Sequence, residues 1–168
     1  EHYNPIIKKI RTIEKPIVAA VNGVAAGAGA SIALCCDIVV ATESSSFIQA
    51  FSKIGLIPDS SSTFFLPRLI GMQRASALMM TAEPVSAKDA VKMGMIYKSF
   101  TDETFVEESW KLVTQLANMP TKGLGLTKRL LNLSYSNNLE EQLDMEDKHQ
   151  TIAGNTEDFK EGVQAFLE

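Results

Sequence analysis

Thiols, imidazoles and excess positive charge are all scarce in this sequence, and each scarcity excludes something. Its 168 residues hold two cysteines, and these are neighbours, Cys35 and Cys36. Adjacent cysteines seldom pair, so no disulfide framework braces the chain. Their apolar flanks, Ile32-Ala33-Leu34 and Ile38-Val39-Val40, read as the surroundings of buried thiols in a reducing cytoplasm. Two histidines, His2 and His149, stand far apart, and no His/Cys/carboxylate group has metal-ligand spacing, so no metal is expected. No apolar run approaches the ~20 residues of a membrane span. Lys and Arg number 16 against 20 Asp and Glu, giving a net charge of -4 and a pI near 5.3. Phosphate backbones select the opposite balance, which excludes a nucleic-acid surface but not an anionic small molecule held by a local basic patch. The chemical signatures are thin too. Ser60-Ser61-Ser62 lies in no G-x-S-x-G elbow, and the histidines sit near the chain start and in the last third, which excludes a serine hydrolase. No Gly-Lys-Ser/Thr makes a P-loop, and no strand-end acid follows the glycines as a dinucleotide site requires.

What is present is an ordinary globular composition, 45% hydrophobic and 21% charged, of one-domain length. Residues 5–13 put Ile6, Ile7, Ile10 and Ile13 on one helical face. After Pro16, Ile17 to Val21 reads as a fully buried strand, Asn22-Gly23 as a turn, and Ile38 to Ala41 as a second buried strand. A short strand at Ser46–Gln49, a loop from Phe51 to Pro58, a helix from Gln73 to Thr81 and a strand from Met95 to Phe100 follow. Ser86 with Asp89 resembles a capping box. Met72, Met79, Met80, Met93 and Met95 read as core filling. From residue 101 the pattern is helix upon helix: one capped by Thr101 or Asp102 and running through Ala117, one from Lys122 to Leu133, one capped by Asn138 and Glu141, and one opened by Asn155. Lys122, Lys128 and Arg129 read as a solvated basic face. The expected architecture is α/β with a mainly parallel sheet over residues 1–100 and a helical region over residues 101–168. The apolar face of Phe159, Val163, Phe166 and Leu167 hints that the tail packs on a neighbour.

Two stretches carry chemistry. Gly27-Ala28-Gly29-Ala30-Ser31 opens an apolar run, so small side chains surround a helix start. The first amides of a helix lack intrahelical acceptors and its dipole favours negative charge there. A developing enolate oxygen would rest on such amides; helix–strand packing alone is the plainer explanation. In Ile54-Gly55-Leu56-Ile57-Pro58-Asp59-Ser60-Ser61-Ser62 a single acid stands between apolar residues and serines. Asp59 reads as a cap of the following helix and as an acid/base whose pKa is lifted by Leu56, Ile57, Phe64 and Phe65, and both roles can hold at once.

Read together, Ile17 to Gly23, Gly27-Ala28-Gly29, Cys36-Asp37-Ile38, Phe47, Gly55, Ile57-Pro58, Pro67-Arg68, Gly94-Met95-Ile96 and Glu161 to Leu167 resemble, in order, the crotonase (enoyl-CoA hydratase/isomerase) family. Ala50 to Asp59 and Gly123 to Lys128 most resemble its 1,2-epoxyphenylacetyl-CoA isomerase branch. The resemblance implies a crotonase-like ββα spiral core whose N-terminal part precedes residue 1, and a C-terminal helical trimerisation region. It implies a cytoplasmic, homo-oligomeric enzyme of fatty-acid or phenylacetate metabolism, a trimer or dimer of trimers. No cofactor is implied beyond the coenzyme A of an acyl-CoA substrate. It gives Ala28 one oxyanion-hole N–H and Asp59 the acid/base role, in an isomerase that shifts a double bond or rearranges a ring epoxide. Ala26, Gly27, Gly29, Phe51, Ile57 and Pro58 would line the substrate. The two glutamates of hydratases fall on Ser31 and Phe51, which argues against hydration. The glycines usual after the acid fall on Ser61 and Ser62. A hydratase-like enzyme, or a non-catalytic acyl-CoA-binding or assembly protein on the same scaffold, are the alternatives.

Overall fold

The computed structural model describes residues 3–167; Glu1, His2 and Glu168 lie outside the described residues. The chain divides into two compact units, Glu1–Arg11 with Ile17–Val113, and Thr12–Pro16 with Thr114–Glu168.

In the first unit, helix α1 (Asn4–Thr12) forms where the isoleucine spacing placed it and buries Ile7 against Cys35 and Phe65. Strand β1 (Val18–Val21) pairs in parallel with β3 (Ile38–Thr42), and β3 with β6 (Lys98–Phe100), in the order β1-β3-β6. Helix α2 (Ala28–Leu34) lies in the crossover between β1 and β3. Central β3 is buried from Val39 to Thr42, as its unbroken apolar run requires. The full burial expected of β1 does not hold: an edge strand is covered from one side only, and Ala20 is exposed while its neighbours are half-buried. A second sheet pairs β2 (Val24–Ala26) in parallel with β4 (Ser46–Ile48), and β4 antiparallel with β5 (Val85–Ser86). Strand β2 has no periodicity to reveal it, being three residues between Gly23 and Gly27, both at positive φ.

A 3-10 turn over Ala50–Ile54 leads by a loop to α3 (Ser62–Ile70), α4 (Met72–Thr81) and α5 (Ala87–Lys92). Pro67 sits inside α3, where it removes an amide donor; the burial of Phe65, Leu66 and Ile70 holds the helix together around it. Leu34, Phe47, Leu66, Ile70, Val85 and Met95 form the centre of the core. Met79 and Met93 pack against it, but Met72 and Met80 are exposed, so only part of the methionine set fills the interior. Ser86 caps α5, accepting from the Asp89 N–H at 3.1 Å. The Asp89 carboxylate takes the Ser86 hydroxyl at 2.7 Å in place of a backbone amide, so the capping box is half formed. Helix α6 (Phe105–Ala117) starts later than expected; of the two expected caps, Thr101 accepts the Thr104 N–H on its side chain at 3.4 Å, while Asp102 accepts from the Ser44 N–H.

In the second unit, α7 (Thr121–Leu133) and α8 (Leu139–Gly154) follow the expected bounds, and Asn138 with Glu141 makes both bonds of a capping box. Thr156, not Asn155, caps α9 (Glu157–Leu167): the Phe159 N–H reaches Thr156 Oγ1 at 3.2 Å, while Asn155 closes α8. Phe159, Val163, Phe166 and Leu167 are all exposed. The basic face of α7 is not fully solvated. Lys128 is buried and donates to the Lys15 carbonyl at 3.0 Å, and Lys122 pairs with Glu14 at 3.2 Å. The cause is Gly125: a Cβ built there would lie 2.8 Å from the Glu14 carbonyl oxygen, so glycine lets residues 12–16 lie against α7. Gly125→Ala is expected to lower stability by about 1–3 kcal/mol, as overpacking against backbone does. A urea-unfolding midpoint within error of the parent would refute this account.

Candidate functional site

Strand β2 ends at Ala26, and the chain turns sharply into α2 through Gly27, at φ 53° and ψ -122°, a conformation that strains any residue with a Cβ. The Gly27 amide is taken by the Ile48 carbonyl of β4 at 2.8 Å, which fixes the turn to the second sheet. The first amide to bond back along α2 is that of Ser31, to the Gly27 carbonyl at 3.0 Å. Ala28, Gly29 and Ala30 therefore present the amides of a first helical turn, which have no acceptor within the helix. Ala28 is half-buried, and Ala26 and Gly29 are exposed.

Phe51, in the 3-10 turn, is buried with its ring edge 3.7 Å from where a Gly27 Cβ would be. Ser31 is buried and its hydroxyl is bound to the Gly27 carbonyl at 3.0 Å. The two positions that the resemblance gives to hydratase glutamates thus hold a ring packed on the α2 start and a hydroxyl spent on it. Neither presents a proton acceptor to a ligand.

Beyond Phe51, Gly55 takes a left-handed conformation and the Leu56 N–H returns to the Phe51 carbonyl at 3.0 Å. This tight closure throws the next residues outward. Ile57 is 82% exposed and Leu56 59%, Pro58 is half-buried, and Asp59 is exposed. The apolar enclosure expected around Asp59 is therefore not formed by these neighbours; Phe65 alone of the four is buried, and it faces α1. The capping role expected of Asp59 is also absent. The N-cap of α3 is Ser61, which makes no side-chain cap bond, and the Asp59 carboxylate takes one hydrogen bond among the described residues, from Ser60 Oγ at 3.0 Å.

The pair that ties the acid's loop to the second sheet was not foreseen. Gln49, just after β4, accepts the Ser62 hydroxyl at 2.7 Å with both side chains buried. Thirteen residues separate them, and nothing in their local pattern announces the contact. Through it the start of α3, and with it Asp59, is anchored to the same strand end that holds the Gly27 amide.

Ser60 and Ser61 stand at φ 51° and 70°, while Ser62 is helical. Of the two positions at which the resemblance places glycines, only Ser61 is left-handed; the other left-handed residue is Ser60, one position earlier. A non-glycine residue there costs roughly 1–2 kcal/mol, partly offset because glycine loosens the unfolded chain. Ser61→Gly is accordingly expected to raise stability by about 0.5–1 kcal/mol. A lower thermal midpoint would show that the Ser61 hydroxyl bond to the Ser60 carbonyl outweighs the relief.

Among the described residues, no group of three or more His, Cys, Asp or Glu could hold a metal ion, and no helix is long and apolar enough to cross a membrane. A model of the enoyl-CoA hydratase/isomerase family matches residues 1–168. The chain is 47% identical to the 1,2-epoxyphenylacetyl-CoA isomerase of Escherichia coli (strain K12), over 98% of this chain and 63% of that protein. It is 43% identical to a probable enoyl-CoA hydratase of Rhodobacter capsulatus, over 100% of this chain and 65% of that one. A solved enoyl-CoA hydratase from Polaromonas superposes with a TM-score of 0.92 at 37% identity, covering 96% of this chain and 63% of the other. The chain spans somewhat less than two thirds of the length of these relatives.

Proposed function

The chain belongs to the enoyl-CoA hydratase/isomerase family and carries the crotonase fold; from that premise we propose that the protein containing it isomerises an acyl-CoA thioester, with Asp59 as the acid/base. The observation that carries this reading is the freedom of the acid. Asp59 supports no helix cap and meets one hydroxyl, yet its loop is anchored through Ser62 and Gln49 beside the Ile48 carbonyl that fixes the Gly27 turn. A carboxylate without structural employment, tied to the strand end beside amides with no acceptor within their helix, suits proton transfer at a carbonyl compound.

In the proposed reaction the Ala28 N–H donates to the thioester carbonyl oxygen, with Gly27 and Gly29 leaving space above it. One amide is half of a two-donor hole. Asp59 removes a proton from the α carbon of a 3-enoyl thioester. The electrons move onto the oxygen as a dienolate, and the same carboxylic acid returns the proton to the γ carbon, giving the conjugated 2-enoyl thioester. Ala26, Phe51, Ile57 and Pro58 are the proposed acyl contacts, with coenzyme A as part of the substrate and no further cofactor. The exposed apolar face of α9 supports homo-oligomer formation.

The relatives include both isomerases and hydratases. Isomerisation is favoured over hydration because Ser31 and Phe51 are committed to packing at the α2 start. The test uses the full protein with a 3-enoyl-CoA, followed by the absorbance of the conjugated thioester. Conjugation without added water is the expected product; failure to conjugate the 3-enoyl-CoA, together with conversion of a 2-enoyl-CoA to the 3-hydroxyacyl-CoA, would overturn the assignment in favour of hydration.

A further inference from the structure

The two cysteines are not separate buried thiols. Both sulfurs converge on one acceptor: Cys35 Sγ lies 3.1 Å and Cys36 Sγ 3.4 Å from the Ile32 carbonyl oxygen. The neighbouring Cys36 thiol, with burial, pushes the Cys35 thiol well above its ordinary pKa. Cys35 is fully buried, but Cys36 is half-buried and lines an open cavity of about 560 Å³ with Leu69, Val91, Met95 and Tyr97. The backbone that carries the pair is held on both sides. Arg11 donates to the Cys35 carbonyl at 2.9 Å and to Asp37 at 3.0 Å, and Asp37 accepts the Ile17 N–H at 2.8 Å.

We infer that Cys35 and Cys36 form a preorganised dithiol clamp for a thiophilic trivalent arsenical, which enters through the cavity lined by Cys36. A monosubstituted arsenical, R–As(OH)2, is the ligand class. Two As–O bonds break and two As–S bonds form, each thiol proton leaves with a hydroxide as water, and nothing is oxidised or reduced. The organic group R lies among the apolar walls of the cavity. The fold favours the second As–S bond because the sulfurs are already adjacent and their backbone is pinned, so little freedom remains to be lost. An oxidised vicinal pair is the less favoured product of the same sulfurs, since it demands a tight eight-membered ring at the end of a helix.

The experiment treats the folded chain with phenylarsonous acid and follows intact mass and free thiols. The expected result is one phenylarsenic per chain with loss of both thiols. The adduct should survive 2-mercaptoethanol and be removed by 2,3-dimercaptopropanol. The controls are Cys36→Ser, Cys35→Ser and the parent chain unfolded in urea, which retains the adjacent cysteines without their setting. The folded parent should withstand at least about tenfold more monothiol than any of these. Loss of a single thiol, or equal retention by the urea-unfolded chain, overturns the inference, because the fold would then contribute nothing. Should one serine variant fail to fold, the other and the unfolded parent still decide the outcome.

Discussion

Replacing Asp59 with Asn is expected to lower turnover of a 3-enoyl-CoA by about 10²–10⁴-fold, the usual worth of a positioned acid/base, while thioester binding changes by less than about threefold. Asparagine has the shape of aspartate and keeps an oxygen for the Ser60 hydroxyl. No helix cap is lost, because Ser61 is the N-cap of α3 and makes no side-chain bond. An exposed, isosteric change of this kind should move stability by less than about 0.5 kcal/mol, so lost turnover would be lost chemistry and not lost fold. The discriminating measurement is the split between kcat and KM. A fall in kcat at constant KM marks an interaction made only in the transition state; a rise in KM alone would make Asp59 a binding residue and remove it from the mechanism.

The legibility of the sequence followed the reach of the interactions. Helices α1 and α8 were visible because their signals are local: isoleucine spacing and the Asn138–Glu141 box. Strand β3 was visible because a central parallel strand must be apolar on both faces. Burial was less legible, since it depends on neighbours distant in sequence. The same apolar run that is buried in β3 is half-exposed in β1 at the sheet edge, and Lys128, which reads as solvated, is buried because Gly125 lets residues 12–16 approach.

At the site, the residue types were legible and the setting was not. The small residues of Gly27–Ala30 did mark a helix start, whose first amides have no acceptor within the helix. The surroundings of Asp59 were misjudged because apolar character in sequence does not tell which way a loop faces. Gly55 turns left-handed, and Leu56 and Ile57 point outward as a result. The Gln49–Ser62 hydrogen bond, which anchors the acid's loop, joins two elements that no short-range pattern connects.

Asp37→Ala is expected to cost about 2–4 kcal/mol, a large share of the stability of a domain this size. One carboxylate oxygen accepts from Arg11 at 3.0 Å and the other from the Ile17 N–H at 2.8 Å, so Asp37 ties the end of α1 to the residue preceding β1. The pair is about five-sixths buried, with side-chain exposures of 17% and 16%. Breaking such a pair costs more than forming it gains, because a partly desolvated amide and guanidinium lose their acceptor together. Asp37→Asn separates the two contributions. It keeps an oxygen for Ile17 and loses the charge, and should cost roughly 1–2 kcal/mol. Arg11→Ala also removes the guanidinium stacked 5.2 Å from the Phe65 ring and its bond to the Cys35 carbonyl, so it should cost at least as much as Asp37→Asn. Because the pair is mostly sheltered, 1 M salt should leave the ranking intact, whereas the exposed Lys111–Glu107 pair should lose its small contribution. Urea-unfolding midpoints in low and high salt decide the matter. If all three variants unfold with the parent, the Asp37 bridge does not stabilise the first unit, and packing of Ile7 against Phe65 and Cys35 seats α1 without it.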